Sequence, residues 1–304
     1  MGDSGLSPRN RLYLEGRRRP ATTAGAARRG IHLERLYPFE PGRAAAGADP
    51  TALYDDIAWG DPPPGRPYVA INMVTTVDGK VTLNHNRYRE PIGSRVDRDV
   101  MVRLRDGADA VMRGAATVRA YPYYPHPSPG AGARRRREGL AEHPLAVVVS
   151  ASCRLPLESG FFHGAPRRPL VLTVPGADRD RLAAVQAVAD VAVVPAAEEQ
   201  GDMDWAAALA LLRSRYGVRR LLLEGGPRVN YALFRRGLVD ELFWTVAPKI
   251  AGQADDRTMV EGPELLLPLP RLALQSAYLH DNELFLRYRV LGAPEGPAQE
   301  RSVP

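Results

Sequence analysis

From residue 67 onward the chain alternates short apolar runs with stretches of helical periodicity. Residues 68–74, 109–112, 145–149, 170–174, 191–194 and 218–223 are apolar runs of strand length, which predicts strands. Residues 238–247 are rich in β-branched and aromatic side chains and predict another; 284–290 alternates poorly and reads as a buried final strand. Between them, Ser94 opens a helix with Asp97 three residues on, a capping-box-like start. Its buried face is Val100, Met101 and Leu104, and Arg105 near its end is expected to point its guanidinium away from the core. Further helices are predicted over 179–188, from the cap Asp204 to Arg213, and from Pro227 to Arg236, where Gly237 stops the last one. The order β-α-β-loop-β-β-α-β-α-β-α-β-β describes an α/β fold with a mostly parallel sheet.

The strand breaks carry the candidate chemistry. Strand 218–223 ends at Glu224-Gly225-Gly226-Pro227, and proline suits the first helical position, where its missing N–H costs nothing. Gly225 and Gly226 admit a ligand to the backbone, the N–H groups of the following helix attract phosphate, and Glu224 on the lip can accept from sugar hydroxyls or amino groups. The same residues also serve as a plain strand-to-helix turn, and a double glycine says less than a full dinucleotide fingerprint. Gly114-Ala115-Ala116-Thr117 repeats the arrangement after 109–112. Thr75-Thr76-Val77-Asp78-Gly79-Lys80 follows the first strand, where Asp78-Gly79 fits a type I′ turn as well as a binding site. Residues 121–144 read as a loop rich in proline, glycine and aromatics, and its run from Arg134 to Arg137 as a solvated face.

Composition adds boundaries. Apolar content of 44% and charge of 25% place the 304 residues among soluble globular proteins of one large or two small domains. Cys153, the only cysteine, excludes a disulfide framework and a multi-cysteine metal site, and fits a reducing compartment such as the cytoplasm. No apolar run approaches the roughly 20 residues of a membrane span. Residues 1–30 hold seven arginines against Asp3 and Glu15, so five of the six net positive charges lie there and the remainder is nearly neutral. They read as a disordered basic tail, 31–66 as an extension ending in the linker Asp61-Pro62-Pro63-Pro64-Gly65, 67–292 as the folded domain, and 293–304 as a second disordered tail.

Three segments in this order resemble one family: the strand ending Thr75-Thr76-Val77-Asp78-Gly79-Lys80, the turn Gly114-Ala115-Ala116-Thr117-Val118-Arg119-Ala120, and Glu224-Gly225-Gly226-Pro227 with Gly237-Leu238-Val239-Asp240-Glu241-Leu242 and Ala247-Pro248-Lys249-Ile250. The chain resembles the pyrimidine reductases of riboflavin biosynthesis, the RibD C-terminal type. The resemblance implies a dihydrofolate reductase-like three-layer α/β sandwich and NADPH-dependent reduction of a phosphoribosylamino-pyrimidine to its ribitylamino product, by a homodimer. It implies cofactor contacts at Val74, Thr75, Gly93, Ser94, Gly114, Thr117, Gly225, Gly226, Pro227 and Arg228, substrate contacts at Arg105, Glu224 and Lys80, and catalytic roles for Glu224 and Asp78. Tyr121-Pro122 stands where many members have acidic residues, and Arg113 where an apolar strand residue is usual. The fused zinc deaminase of many relatives needs two cysteines and is excluded by one.

Two other readings follow from the same residues. One is a reductase of this fold acting on a pterin-like or secondary-metabolite substrate. The other is a non-catalytic nucleotide or nucleic-acid binder using the basic tail, against which stand the near-neutral body and the lack of a nucleic-acid-binding motif.

Overall fold

The computed structural model describes residues 34–37, 54, 57–88, 90–197 and 202–292. The tails expected at 1–30 and 293–304, and the larger part of the 31–66 extension, lie outside the described residues.

Ten strands join one sheet: β1 (Glu34–Tyr37), β2 (Tyr68–Thr76), β3 (Ala110–Gly114), β4 (Leu145–Val149), β5 (Leu170–Thr173), β6 (Asp190–Val193), β7 (Arg220–Leu223), β8 (Glu241–Ala247), β9 (Arg271–His280) and β10 (Glu283–Leu291). Their spatial order is β1-β9-β10-β8-β2-β7-β3-β4-β5-β6. Pairings from β8 through β6 are parallel, and those of β10 with β8 and β9, and of β1 with β9, are antiparallel. The parallel strands are the ones whose sequences are apolar at successive positions, because helices cover both of their faces. The helices are α1 (Arg95–Asp106), α2 (Ala115–Ala120), α3 (Ala131–Arg137), α4 (Arg179–Val188), α5 (Trp205–Tyr216) and α6 (Pro227–Arg235). Val100 and Leu104 of α1, Val118 of α2 and Val185 of α4 pack against the sheet face that carries Val111, Ala146 and Leu222. Leu209 and Leu212 of α5 and Leu233 of α6 cover the opposite face, on Ile71, Met112, Val147 and Leu221. The α/β order and mostly parallel sheet are those the chain's pattern predicts, and the three layers are those the family resemblance implies.

Local signals hold where they were strong. Ser94 caps α1, accepting from Asp97 N at 3.2 Å, and Gly237, with φ 61°, follows the end of α6. Three expectations change. β9 lacks a period-2 apolar pattern because its first half is exposed or half-buried, and it went unrecognised. β10 buries only Glu283 and Phe285, since it lies in the antiparallel edge of the sheet rather than its covered centre. Residues 121–144 are not all loop, and the arginine run is not all solvated: it forms α3, with Arg135 fully buried. Arg135 Nε donates to Ala141 O at 2.9 Å, Nη1 to Arg105 O and Asp106 O at 2.7 Å each, and Nη2 to Ala108 O at 2.9 Å. It thereby satisfies carbonyls at the end of α1 that a helix terminus leaves without intrahelical donors.

Candidate active site

β8, β2, β7 and β3 are neighbours and parallel, so Ala247, Thr76, Leu223 and Gly114 end along one edge. The turn after β7 is laced to the end of β3: Glu224 N donates to Met112 O and Gly114 N to Gly225 O, both at 2.9 Å. Gly225 has φ 78°, a left-handed conformation that glycine adopts without a Cβ clash. A Cβ on Gly114 would meet Gly226 N at 3.4 Å, and one on Gly226 would meet Thr117 Oγ1 at the same distance. Gly114, Thr117, Gly225 and Gly226 are therefore brought together, and neither α2 nor α6 has a side-chain cap at its N-terminus. Two uncapped helix starts beside bare backbone present N–H donors to an anion. Pro227 holds the first helical position of α6 and Arg228, next in line, is exposed. These residues fit the phosphates of a dinucleotide.

Beneath the turn lies a buried charge cluster. Relative exposure is 7% for Glu224, 3% for Arg105 and 2% for Arg113. Arg105 donates from Nε to Glu224 Oε1 at 2.6 Å and from Nη2 to Oε2 at 2.9 Å. Arg113 donates from Nε and Nη2 to Oε2 at 3.0 and 2.6 Å. Burial alone would raise the Glu224 carboxyl, but Arg105 and then Arg113 outweigh it and hold it at about 2. The remaining donors reach the segment after α2: Arg105 Nη1 to His126 O and Arg113 Nη1 to Tyr123 O, both 3.1 Å. The direction expected for Arg105 is thus corrected. Helical side chains lean toward the N-terminus of their helix, and from α1 that lean carries the guanidinium inward to Glu224. Arg113, out of place on an apolar strand, is the third member of the set. Its signal in the sequence was the departure itself, an arginine directly before the glycine that ends β3.

Asp78 and Lys80 fasten a second part of the rim. Asp78 accepts from Thr76 Oγ1 at 2.6 Å, Gly252 N at 2.8 Å and Ala251 N at 3.1 Å. Those bonds, Thr76's foremost, hold its carboxyl below the usual carboxylate range. The turn is not type I′, which needs positive φ at both central residues; only Gly79 has it. Thr76 N donates to Lys80 O at 3.0 Å across a three-residue loop. Lys80 Nζ donates to Ala254 O at 3.0 Å and Asp256 O at 3.1 Å.

Thr75 is buried and its Oγ1 accepts from Trp244 Nε1 at 2.9 Å, while Val74 pairs in register with Thr245 of β8. Gly93 and Ser94 lie at the start of α1. Ser94 N donates to Glu283 Oε1 at 3.0 Å and its hydroxyl donates to Glu283 Oε2. Asp97, which the sequence marked only as a cap residue, is packed so closely on Gly93 that a Cβ there would overlap its carboxylate. Burial, helped by the charge of Glu283 and opposed by a hydrogen bond from Thr245, pushes Asp97 up to about 7. The folded protein therefore retains this proton between pH 3.8 and about 7, and stability falls as pH rises across that window. Asp97→Asn, which imitates the protonated acid, is expected to stabilise the protein at pH 8 by about 2–4 kcal/mol and to change nothing below the unfolded value. Melting curves of both proteins at the two pH values decide it, and an unchanged difference between them would remove Asp97 as the source.

Comparisons with known proteins place the chain in a family. The RibD C-terminal domain family matches residues 67–286. A 2,5-diamino-6-ribosylamino-4(3H)-pyrimidinone 5′-phosphate reductase of Archaeoglobus fulgidus is 34% identical over 202 residues, covering 66% of this chain and 89% of the relative. The enzyme of the same name from Methanothermobacter thermautotrophicus is 32% identical over 233 residues, covering 75% of this chain and 100% of the relative. Among solved structures, a pyrimidine reductase-like protein from Corynebacterium diphtheriae superposes with a TM-score of 0.65 at 27% identity, covering 75% of this chain and 93% of that one. The match over residues 67–286, together with these relatives, has one conclusion: the chain belongs to the RibD C-terminal domain family.

Proposed function

We propose that this protein is a reductase of riboflavin biosynthesis that uses NADPH to convert a 5-phosphoribosylamino-pyrimidine into its ribitylamino product. The observation that carries the proposal is the pair of uncapped helix N-termini meeting at Gly114 and Gly225–Gly226, directly above a buried cluster with two arginines and one glutamate. When bound, the nicotinamide supplies the hydride that reduces C1′ of the sugar. The chain's own part is to hold and align the two reactants, which in the best cases lowers a barrier by on the order of 7–11 kcal/mol.

In this reading Gly114, Thr117, Gly225, Gly226 and Pro227 hold the cofactor phosphates, and the exposed Arg228 suits the extra phosphate that distinguishes NADPH from NADH. Val74, Thr75, Gly93 and Ser94 flank the nicotinamide half. The Arg105–Glu224–Arg113 cluster carries one net positive charge, so Arg105, held by Glu224, favours an anionic substrate from below while Arg105 and Arg113 fix the segment above them. Lys80 has three donors and two carbonyl partners, leaving one donor for substrate, and Asp78 sets its turn. Among the described residues no helix is long and apolar enough to cross a membrane, in keeping with a cytoplasmic enzyme. The exposed Leu265, Leu267 and Leu269 offer apolar surface to a second copy, and sedimentation velocity reads the resulting dimer directly.

The test is NADPH consumption by the purified chain with the diamino-pyrimidinone phosphate and, separately, its deaminated counterpart. Oxidation with matching formation of ribitylamino product is expected with one of them, and faster than with NADH. No consumption with either would overturn the proposal. It would favour a reductase of another heterocycle such as a pterin, for which Tyr121-Pro122 in place of acidic residues is the supporting observation.

A further inference from the structure

The segment that follows α2 holds two tyrosines with opposite fates. Tyr124 is 2% exposed and belongs to the core, whereas Tyr123, its neighbour, is 46% exposed. Exposure alone says little about Tyr123, but its surroundings are constrained. Tyr121 N donates to Thr117 O at 2.8 Å and Tyr123 N to Tyr121 O at 2.9 Å. Tyr123 O accepts from Arg113, and Tyr123 forms an isolated parallel bridge with Gly160. The main chain is thus fixed on both sides of the ring.

The ring itself is backed by a cation. The Arg113 guanidinium carbon lies 5.0 Å from the Tyr123 centroid, and Glu224 holds that guanidinium with two hydrogen bonds, so it cannot swing away. Tyr121 stands beside it at an interplanar angle of 70°, with 6.4 Å between centroids. Together they make an aromatic corner in the segment that follows β3 and α2, on the same edge as the glycine turn. A cation over one face of an aromatic ring draws π density toward itself. The other face is then better matched to an electron-rich heterocycle than to a cationic one. An amino-substituted pyrimidinone is electron-rich, and an oxidised nicotinamide is a cation.

We infer that Tyr123, backed by Arg113, is the surface on which the pyrimidine ring of the substrate stacks, with Tyr121 as the side wall. The inference rests on the reductase reading given above and names the contact that would select the substrate's ring. It also gives Arg113 and Tyr121-Pro122, the two departures from the family pattern, one shared purpose. Glu224 acts here as a positioning residue, holding the cation behind the ring.

The experiment is steady-state kinetics of the full chain with NADPH and whichever of the diamino-pyrimidinone phosphate and its deaminated counterpart the wild type reduces. Removing an aromatic partner from a stacked base weakens binding about five- to a hundredfold. Tyr123→Leu is therefore expected to raise KM for the pyrimidine about tenfold while KM for NADPH stays within about twofold. Tyr123→Phe, which keeps the ring, should rescue the leucine defect, holding KM for the pyrimidine within about threefold of wild type. If the leucine variant folds poorly, Tyr123→His retains a smaller flat ring and should give an intermediate KM. A pyrimidine KM that ignores these changes, or a rise in the NADPH KM instead, overturns the stack. A wild-type enzyme that turns over no pyrimidine overturns the functional reading and the stack with it, whereas active wild type with unresponsive variants overturns the stack alone.

Discussion

Glu224→Gln is expected to destabilise the protein by about 3–5 kcal/mol and to abolish most of its activity. The substitution preserves shape but leaves Arg105 and Arg113 as two buried guanidiniums with no counter-charge. Their other bonds, to His126 O and Tyr123 O, are to neutral carbonyls and cannot replace it. The acid limb of the stability curve gives an independent check. A carboxyl lowered from 4.5 to about 2 contributes stability that is complete above the unfolded value and disappears as pH falls toward the folded one. That contribution is about 3 kcal/mol, and in the variant this part of the acid dependence should be missing. Arg105→Lys keeps the charge but gives up the two-pronged contact, so its loss should be smaller. Urea denaturation at pH 7 and pH 3 measures all three proteins. Wild-type stability for Glu224→Gln at pH 7 would show that the cluster is not the electrostatic unit its distances describe.

The second large effect belongs to Arg135. Arg135→Leu keeps much of the buried volume and removes the guanidinium donors to Arg105 O, Asp106 O, Ala108 O and Ala141 O, of which Arg105 O keeps a bond from Ala108 N at 3.2 Å. Each buried carbonyl left without a partner costs about 1–3 kcal/mol, and since relaxation lets some of them re-pair, a total loss of about 3 kcal/mol or more is expected. Leucine at the exposed neighbours, Arg136 and Arg137, should change stability by no more than about 0.5 kcal/mol. Thermal melts of the three variants test the contrast, and equal losses across them would return the run to the solvated face its composition suggests. Because Arg135 grips the carbonyls of residues 105 and 106, its loss should also loosen the end of α1 that carries Arg105.

The central sheet was legible because parallel strands covered on both faces must be apolar at consecutive positions, as Leu221, Leu222 and Leu223 are. The α6 boundaries were legible because Pro227 and Gly237 act through backbone geometry alone. What escaped depends on partners distant in sequence. Arg135 looks like its three neighbours until the end of α1 supplies acceptors for it. Arg113 looks like an error in a strand until Glu224, 111 residues away, is placed beside it. Asp97 reads as an ordinary helix cap, and only the fold brings Glu283 and Thr245 against it. β9 failed for a different reason: with half its length open to water, nothing forces its side chains to alternate. The family resemblance picked out Gly114, Thr117, Gly225 and Gly226, which the fold brings side by side, but a pattern of residue types cannot say whether a charged side chain faces a ligand or another side chain.

The hydrogen bonds that hold the segment over the site to the cluster are accepted by its carbonyl oxygens, at Tyr123 and His126. Every amino acid carries that carbonyl. Exchanging the exposed side chains at 121 and 123, with the buried Tyr124 kept, therefore leaves these carbonyl anchors in place and alters what the segment presents outward. The arrangement separates foldability from selectivity: a library randomised at Tyr121 and Tyr123 would sample new substrate preferences on the same carbonyl mount.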